Sequence, residues 1–317
     1  MTTPPTSTFN YIPDPGLESV VDLMLDLQMP LLVTGQPGTG KTRLVEYIAA
    51  HKLEPARKAR IFNTKTSSQA QDLFYTYDAL RHFRDAGLAR EQGNKDALKS
   101  VMDYIHVDAL GLAILESATQ RPVVLIDEID KAPRDFPNDI LFEFEKFAFK
   151  VKEATPAETK AWVEAHYPGI EVDQDGFIHA KNRPVLILTS NSEKNLPDAF
   201  MRRVLYHHIN FPKPARLKQI IEANVNFPQG FDEKLVNAAI KHFNEIRDHK
   251  RLRKAPATAE LLSWIHVLHK DRVALEEGLA ASADQKLKAL ILKSYALLAK
   301  NKEDLDILKN DLGIKPA

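Results

Sequence analysis

The stretch GQPGTGKT, residues 35 to 42, follows the apolar run MPLLVT and leaves the surrounding chain little structural choice. Its spacing is Gly35, four residues, Gly40, Lys41 and Thr42, which is the P-loop pattern. Glycines let the backbone curl so that successive N–H groups aim at phosphate oxygens. A lysine in the place of Lys41 reaches the β- and γ-phosphates, and a hydroxyl in the place of Thr42 ligates Mg2+. Pro37 stiffens the loop without removing a needed glycine. Leu31, Leu32 and Val33 predict a buried strand before the loop. Leu44, Val45, Ile48 and Ala49 predict a helix after it. The N-terminus of that helix adds its dipole to the anion site. A glycine-rich turn with a stray lysine would explain neither flank.

The alternation of patterns along the chain says what this loop is built into. Residues 1–16 read as an irregular Pro/Thr-rich arm, and helical spacing begins at Leu17. A second strand is predicted near Arg60 to Phe62, and residues 70–118 read as mostly helical. RPVVLIDEID is an apolar strand ending in acids, NDILFEFEKF a helix and PVLILTSN a further buried strand. Between them, the D-G turn at Asp175 and Gly176 predicts a β-hairpin insertion at about 150–183. After INFPKP only helical patterns remain. Strands alternating with helices, then helices alone, predict an α/β nucleotide-binding core over 17–212 and an α-helical part over 213–317.

Bulk composition narrows the chemistry. Lys+Arg and Asp+Glu both number 43, so no net charge advertises nucleic acid or an anionic membrane. The absence of cysteine among the 317 residues excludes disulfides, thiol catalysis and cysteine-based metal sites. No apolar run approaches a membrane span, and the N-terminus does not read as a signal peptide; the expectation is a cytoplasmic chain.

A P-loop alone does not decide between holding a nucleotide and hydrolysing it. Val123 to Ile126 place Asp127 at the C-terminal end of a strand, where open α/β sheets bind ligands. Asp127 is suited to the Mg2+ shell, and Glu128 to polarising the attacking water. Asn191 stands just past another strand end, where an amide orients water between Glu128 and the γ-phosphate. AFMRRV offers Arg202 and Arg203, and an arginine at a developing phosphoryl charge is able to come from a neighbouring subunit.

The order GQPGTGKT, VVLIDEID, LILTSN, LPDAFMRR resembles the AAA+ ATPases, a P-loop NTPase fold with an αβα core and a C-terminal α-helical lid domain. YIPDPGLESVV, DEIDKAP, the LPDAF element and KAPATAELLSW resemble the MoxR-like branch. The resemblance implies ATP and Mg2+ as cofactors. It implies Walker A at Gly35, Gln36, Pro37, Gly38, Thr39, Gly40, Lys41 and Thr42, with Arg43 following in the helix. It further implies Walker B at Asp127 and Glu128, sensor 1 at Asn191 and a trans-acting arginine finger at Arg203. Arg202 takes a position that is often Asp in the family. Tyr11 and Ile12 match the segment lying against the adenine. The sensor 2 arginine is missing near Thr258, and Lys254, or second Arg253, would substitute for it. As partners the resemblance implies a homo-oligomeric ring, a hexamer, and a remodelled protein client, often with a von Willebrand A-type domain.

Two other classes compete with that reading. One is a nucleic-acid-associated AAA+ motor, for which the neutral charge gives no support. The other is a nucleotide-dependent switch in a defence system, against which the intact Glu128 stands. Smaller signals have plain explanations. NKED at 301–304 lies in a helical tail, not after a sheet strand. EVDQDGFIHAKN lacks the acidic twelfth position of a calcium loop. HKRLRK reads as a solvated face, and His207 and His208 as strand residues.

Overall fold

A computed structural model describes residues 10–53, 59–91, 99–191, 196–227, 230–270 and 285–312. Contacts divide the chain into two units. One comprises Pro13–Gly35 and Lys41–Ile209; the other comprises residues 10–12, Gln36–Gly40 and the chain from Asn210 onward.

The first unit opens with α1 (Pro15–Leu27), which starts inside the stretch expected to be an arm; residues 1–9 of that arm lie outside the described residues. Its start is written in the sequence as Asp-Pro. Asp14 caps the Leu17 N–H at 3.0 Å, and Pro15 occupies the first turn, where no N–H is needed. Strand β1 (Leu31–Gly35) runs into the phosphate loop, and α2 (Lys41–His51) leaves it. There follow β2 (Arg60–Asn63), β3 (Tyr75–Tyr77), α3 (Ala79–Glu91), β4 (Ile105–Val107), α4 (Ala109–Leu115) and β5 (Val123–Asp127). After them come α5 (Phe136–Asp139), α6 (Leu141–Lys146), β6 (Ala148–Lys150), α7 (Pro156–His166), β7 (Glu171–Val172), β8 (Phe177–His179), β9 (Val185–Ser190), α8 (Asp198–Met201) and β10 (Leu205–Ile209).

Five of the strands form one parallel sheet in the order β10-β1-β9-β5-β2. Strands β1 and β9 are buried along their whole length, because both faces of a parallel sheet are covered. Leu32, Val124, Ile126, Leu186 and Leu188 are 0–1% exposed in one apolar cluster. Each such side chain contributes about 1.5–3 kcal/mol on leaving water. The parallel register sets Thr34 beside Ser190 and Asn63 beside Asp127, so the strands finish level at one edge of the sheet. That edge carries Gly35, Asp127 and, one residue past β9, Asn191.

Three local expectations change. The segment 70–118 holds a two-stranded antiparallel ladder of β3 and β4 as well as helices. Three-residue strands such as Tyr75–Tyr77 are too short to show a period. The single helix expected in NDILFEFEKF is interrupted at Ile140 (φ −92, ψ 1) and ends at Phe147 in the left-handed region, φ 46. The segment 150–183 is more than a hairpin. β6, β8 and β7 form a three-stranded antiparallel sheet, and α7 intervenes. The start of α7 is a capping box in which Thr155 and Glu158 bond each other's backbone N–H. The acidic loop there is an Asx turn: Asp173 Oδ1 accepts from the Asp175 and Phe177 N–H groups, and Oδ2 meets His179 Nε2 at 2.9 Å.

The second unit is helical from α9 (Pro214–Asn224) through α10 (Glu233–Arg247), α11 (Thr258–Lys270), α12 (Gln285–Ser294) and α13 (Lys302–Ile307). Leu217, Ile221, Val236, Phe243, Trp264 and Tyr295 are 0% exposed in its core. The polar tips of Trp264 and Tyr295 are satisfied. Trp264 Nε1 donates to Ser294 Oγ at 2.7 Å, and Tyr295 Oη lies 2.7 Å from His242 Nε2.

The NKED segment proves to be a clamp. Asp304 is 0% exposed, and its carboxyl accepts from the Arg253 N–H at 2.9 Å, the Lys254 N–H at 3.2 Å and Asn301 Nδ2 at 2.7 Å. Removing it strands three partly buried donors. Asp304→Ala is therefore expected to cost about 2–4 kcal/mol of stability, read from the denaturant midpoint of the purified protein.

Candidate active site

Residue by residue, the first unit assembles one constellation at the carboxyl edge of its sheet. Lys41 is the first residue of α2 and only 8% exposed. Its Nζ donates to the Gly35 carbonyl at 2.6 Å and to Asn191 Oδ1 at 2.8 Å. Burial pulls its pKa below the ordinary lysine value, opposed by attraction to Asp127, Asp130 and Glu128. The ammonium attracts an arriving anion, and the three acids oppose that attraction.

Asn191 also donates from Nδ2 to Glu128 Oε1 at 3.1 Å, so one amide links the lysine to the carboxylate. Its backbone N–H donates to Asp130 Oδ1 at 3.2 Å. Glu128 takes the left-handed conformation, φ 55, which costs a non-glycine residue about 1–2 kcal/mol. Its N–H donates to Thr189 Oγ1 at 2.9 Å. Lys131 donates to the carboxylate's other oxygen, and this bond holds Glu128 below the usual glutamate pKa, with Asn191 and Lys41 adding to the effect.

Thr42 Oγ1 lies 3.4 Å from Asp127 Oδ2, and Thr189 donates to Asp127 Oδ1. A hydroxyl and a carboxylate side by side are hard oxygen ligands of the kind Mg2+ selects, so the donor set fits that ion. No cluster of three or more His, Asp or Glu able to hold a metal occurs among the described residues.

The crown of the phosphate loop belongs to the second unit. Thr39 closes it by donating its N–H at 3.3 Å and its hydroxyl at 2.8 Å to the Gln36 carbonyl. Gly38 has φ +76, and a Cβ there would stand 2.4 Å from Ala257 Cβ. Gly40 has φ +91, and a Cβ there would stand 3.0 Å from Tyr11 Cε2. Both positions demand glycine twice over, by backbone conformation and by space. Pro37, just before Gly38, is exposed. Residues 10–12 are strapped down: Asn10 and Asn224 exchange bonds at 2.9 and 3.1 Å, and Arg216 donates to the Ile12 carbonyl at 2.6 Å.

Other candidate side chains lie elsewhere. Arg43 bonds Glu46 at 2.7 Å one turn along α2. Arg203 Nε donates to Glu145 Oε1 at 2.7 Å and Nη1 to the Ala199 carbonyl at 3.0 Å; Arg202 is exposed. Lys254 is fixed through its backbone by Asp304 and keeps its side chain exposed. From the helical unit, the Arg247 side chain bonds the phosphate loop.

Sequence reasoning missed Thr189, Lys131 and Arg247. Lys131 was within reach, three residues after Glu128 in DEIDK. Nothing local marks Thr189, whose hydroxyl bridges Asp127 and the Glu128 N–H across two strands. Thr189→Val keeps shape and removes the bridge. ATP turnover should fall about 10–100-fold, with about 1–3 kcal/mol of stability lost; steady-state kinetics and urea unfolding check both.

The family model of the ATPase family associated with various cellular activities (AAA) matches residues 31–213, more than half of the chain. The chain belongs to the AAA family. It is an ATP-hydrolysing enzyme with a P-loop αβα core and an α-helical C-terminal part. Among solved structures it is similar to a variant of Thermotoga maritima RuvB at 13% identity, covering 97% of this chain and 80% of that one, with a TM-score of 0.50. A second RuvB variant gives 13% identity, the same coverage and a TM-score of 0.49. Identity this low speaks for the AAA fold alone. No curated protein matches the sequence.

Proposed function

We propose that this AAA enzyme is MoxR-like and couples ATP hydrolysis in a cytoplasmic homo-oligomeric ring, a hexamer, to remodelling of a protein client, with a von Willebrand A-type domain as the expected client class. The observation carrying this reading is the insertion of β6–β8 and α7 just before β9, the strand that Asn191 follows, together with the LPDAF element after it. In line with it, no described helix is long and apolar enough to cross a membrane.

In the proposed reaction Lys41 and the loop N–H groups hold the phosphates. Thr42 and Asp127 hold Mg2+, which supplies charge neutralisation when bound. Glu128 takes the proton of the attacking water, and Asn191 orients that water from its position between Lys41 and Glu128. Arg203 of the next subunit stabilises charge on the transferring phosphoryl group.

The client is tested by trapping. Glu128→Gln loaded with ATP is mixed with lysate of the source cells, with and without nuclease, and the retained material identified. Retention of one protein beyond an ATP-free control, insensitive to nuclease, is the expected result. Retention of nucleic acid, or loss of the retained material on nuclease treatment, would make the chain a nucleic-acid motor.

A further inference from the structure

Arg247, the last residue of α10, makes three contacts with one planar group. Its guanidinium carbon lies 3.4 Å from the centre of the Phe211 ring. Nη1 donates to the Pro256 carbonyl, and Nη2 donates to Gln36 Oε1 at 2.9 Å. Gln36 is the second residue of the phosphate loop. The Pro256 carbonyl precedes Ala257, the residue against which Gly38 packs, and the Ala257 N–H is itself tied to Glu260 Oε2 at 2.9 Å. One side chain thus holds both the loop and the surface on which the loop rests, all inside the helical unit.

The charge state of this group adds to the geometry. Arg247 is half-buried, and burial lowers its pKa from the usual arginine value. Both its hydrogen-bond acceptors are neutral, and it has no ion pair among the described residues. Asp248, which acts on it only through space, is exposed. Partly desolvated cations normally sit against a carboxylate. Here an aromatic face and two amide oxygens take that place, so the charge stands beside a loop built for phosphate without a bonded carboxylate among the described residues. A lysine would carry the charge but could not stack and donate in two directions from one plane.

We propose that Arg247 is a positioning residue for the phosphate loop, fixing Gln36 and through it the grip of the loop on nucleotide phosphates. The inference rests on reading residues 35–42 as the nucleotide loop.

A double-mutant cycle on the full chain tests it, with the affinity for a fluorescent ADP analogue, KM for ATP and kcat as readouts. Arg247→Met and Gln36→Met are each expected to weaken nucleotide binding and raise KM about 5–30-fold, with kcat within about threefold. The double variant should be no worse than Arg247→Met alone, to within about twofold. Arg247→Lys should resemble Arg247→Met rather than the wild type. Gln36 is exposed, so Gln36→Met remains informative even if Arg247→Met unfolds. Wild-type affinity in Gln36→Met, or multiplicative effects in the double variant, would overturn the proposal and leave the ATPase reading intact. Failure of the wild type to bind the ADP analogue would instead overturn the ATPase reading, and this inference with it.

Discussion

Glu128→Gln is expected to lower ATP turnover by about two to three orders of magnitude while leaving nucleotide affinity within a few-fold. The substitution preserves the length of the side chain and an oxygen able to accept from Asn191 Nδ2, now 3.1 Å from Glu128 Oε1. It removes the negative charge, the basicity and the oxygen that accepts from Lys131. Lys131 keeps the carboxylate ionised by bonding its other oxygen, so the native group is ready to accept a proton from water. The phosphate loop and Lys41 are untouched, hence the retained binding. Paired measurements of steady-state hydrolysis and ADP-analogue affinity separate the two effects. Turnover within about threefold of wild type would remove Glu128 as the base and would favour a nucleotide-dependent switch.

Arg203→Ala is expected to produce a loss at least as large, about 10^3-fold in kcat, again with binding preserved. The reasoning is geometric. Within its own chain Arg203 bonds Glu145 and the Ala199 carbonyl and none of Lys41, Asp127, Glu128 or Asn191. Its side chain is 43% exposed, so the Glu145 pair is a surface ion pair of small worth that a stronger anion can displace. That exposure is what the proposed role toward a neighbouring subunit requires. Arg202→Ala is the control, with turnover within about threefold of wild type. A large loss at Arg202 with none at Arg203 would exchange their roles.

Much of the site was readable because its parts are local. Strand, glycine loop and helix follow one another over residues 31–51, and each signals itself by composition and period. The acids at 127 and 128 and the amide at 191 were legible as strand ends, since the edge where parallel strands finish is a property of the whole fold. The β3–β4 ladder was not legible, because three residues of alternation cannot be told from chance. The cap that starts α7, Thr-Pro-Ala-Glu, was present in the sequence but was read as part of a hairpin segment. Thr189 and Arg247 belong to a different class. Their roles depend on partners 62 and 211 positions away, and no local pattern carries that information. At Lys254, which the resemblance implies as the substitute for the missing arginine, Asp304 holds the backbone and the side chain is exposed.

Subunit mixing tests the shared site most directly. Arg203→Ala retains Glu128, and Glu128→Gln retains Arg203, so each variant alone is inactive while a mixed ring contains interfaces with both groups intact. Random assembly of equal amounts should restore about a quarter of wild-type turnover. Turnover that stays at the sum of the two separate variants, in rings shown by energy transfer between differently labelled subunits to have mixed, would contradict a site completed by the neighbouring copy.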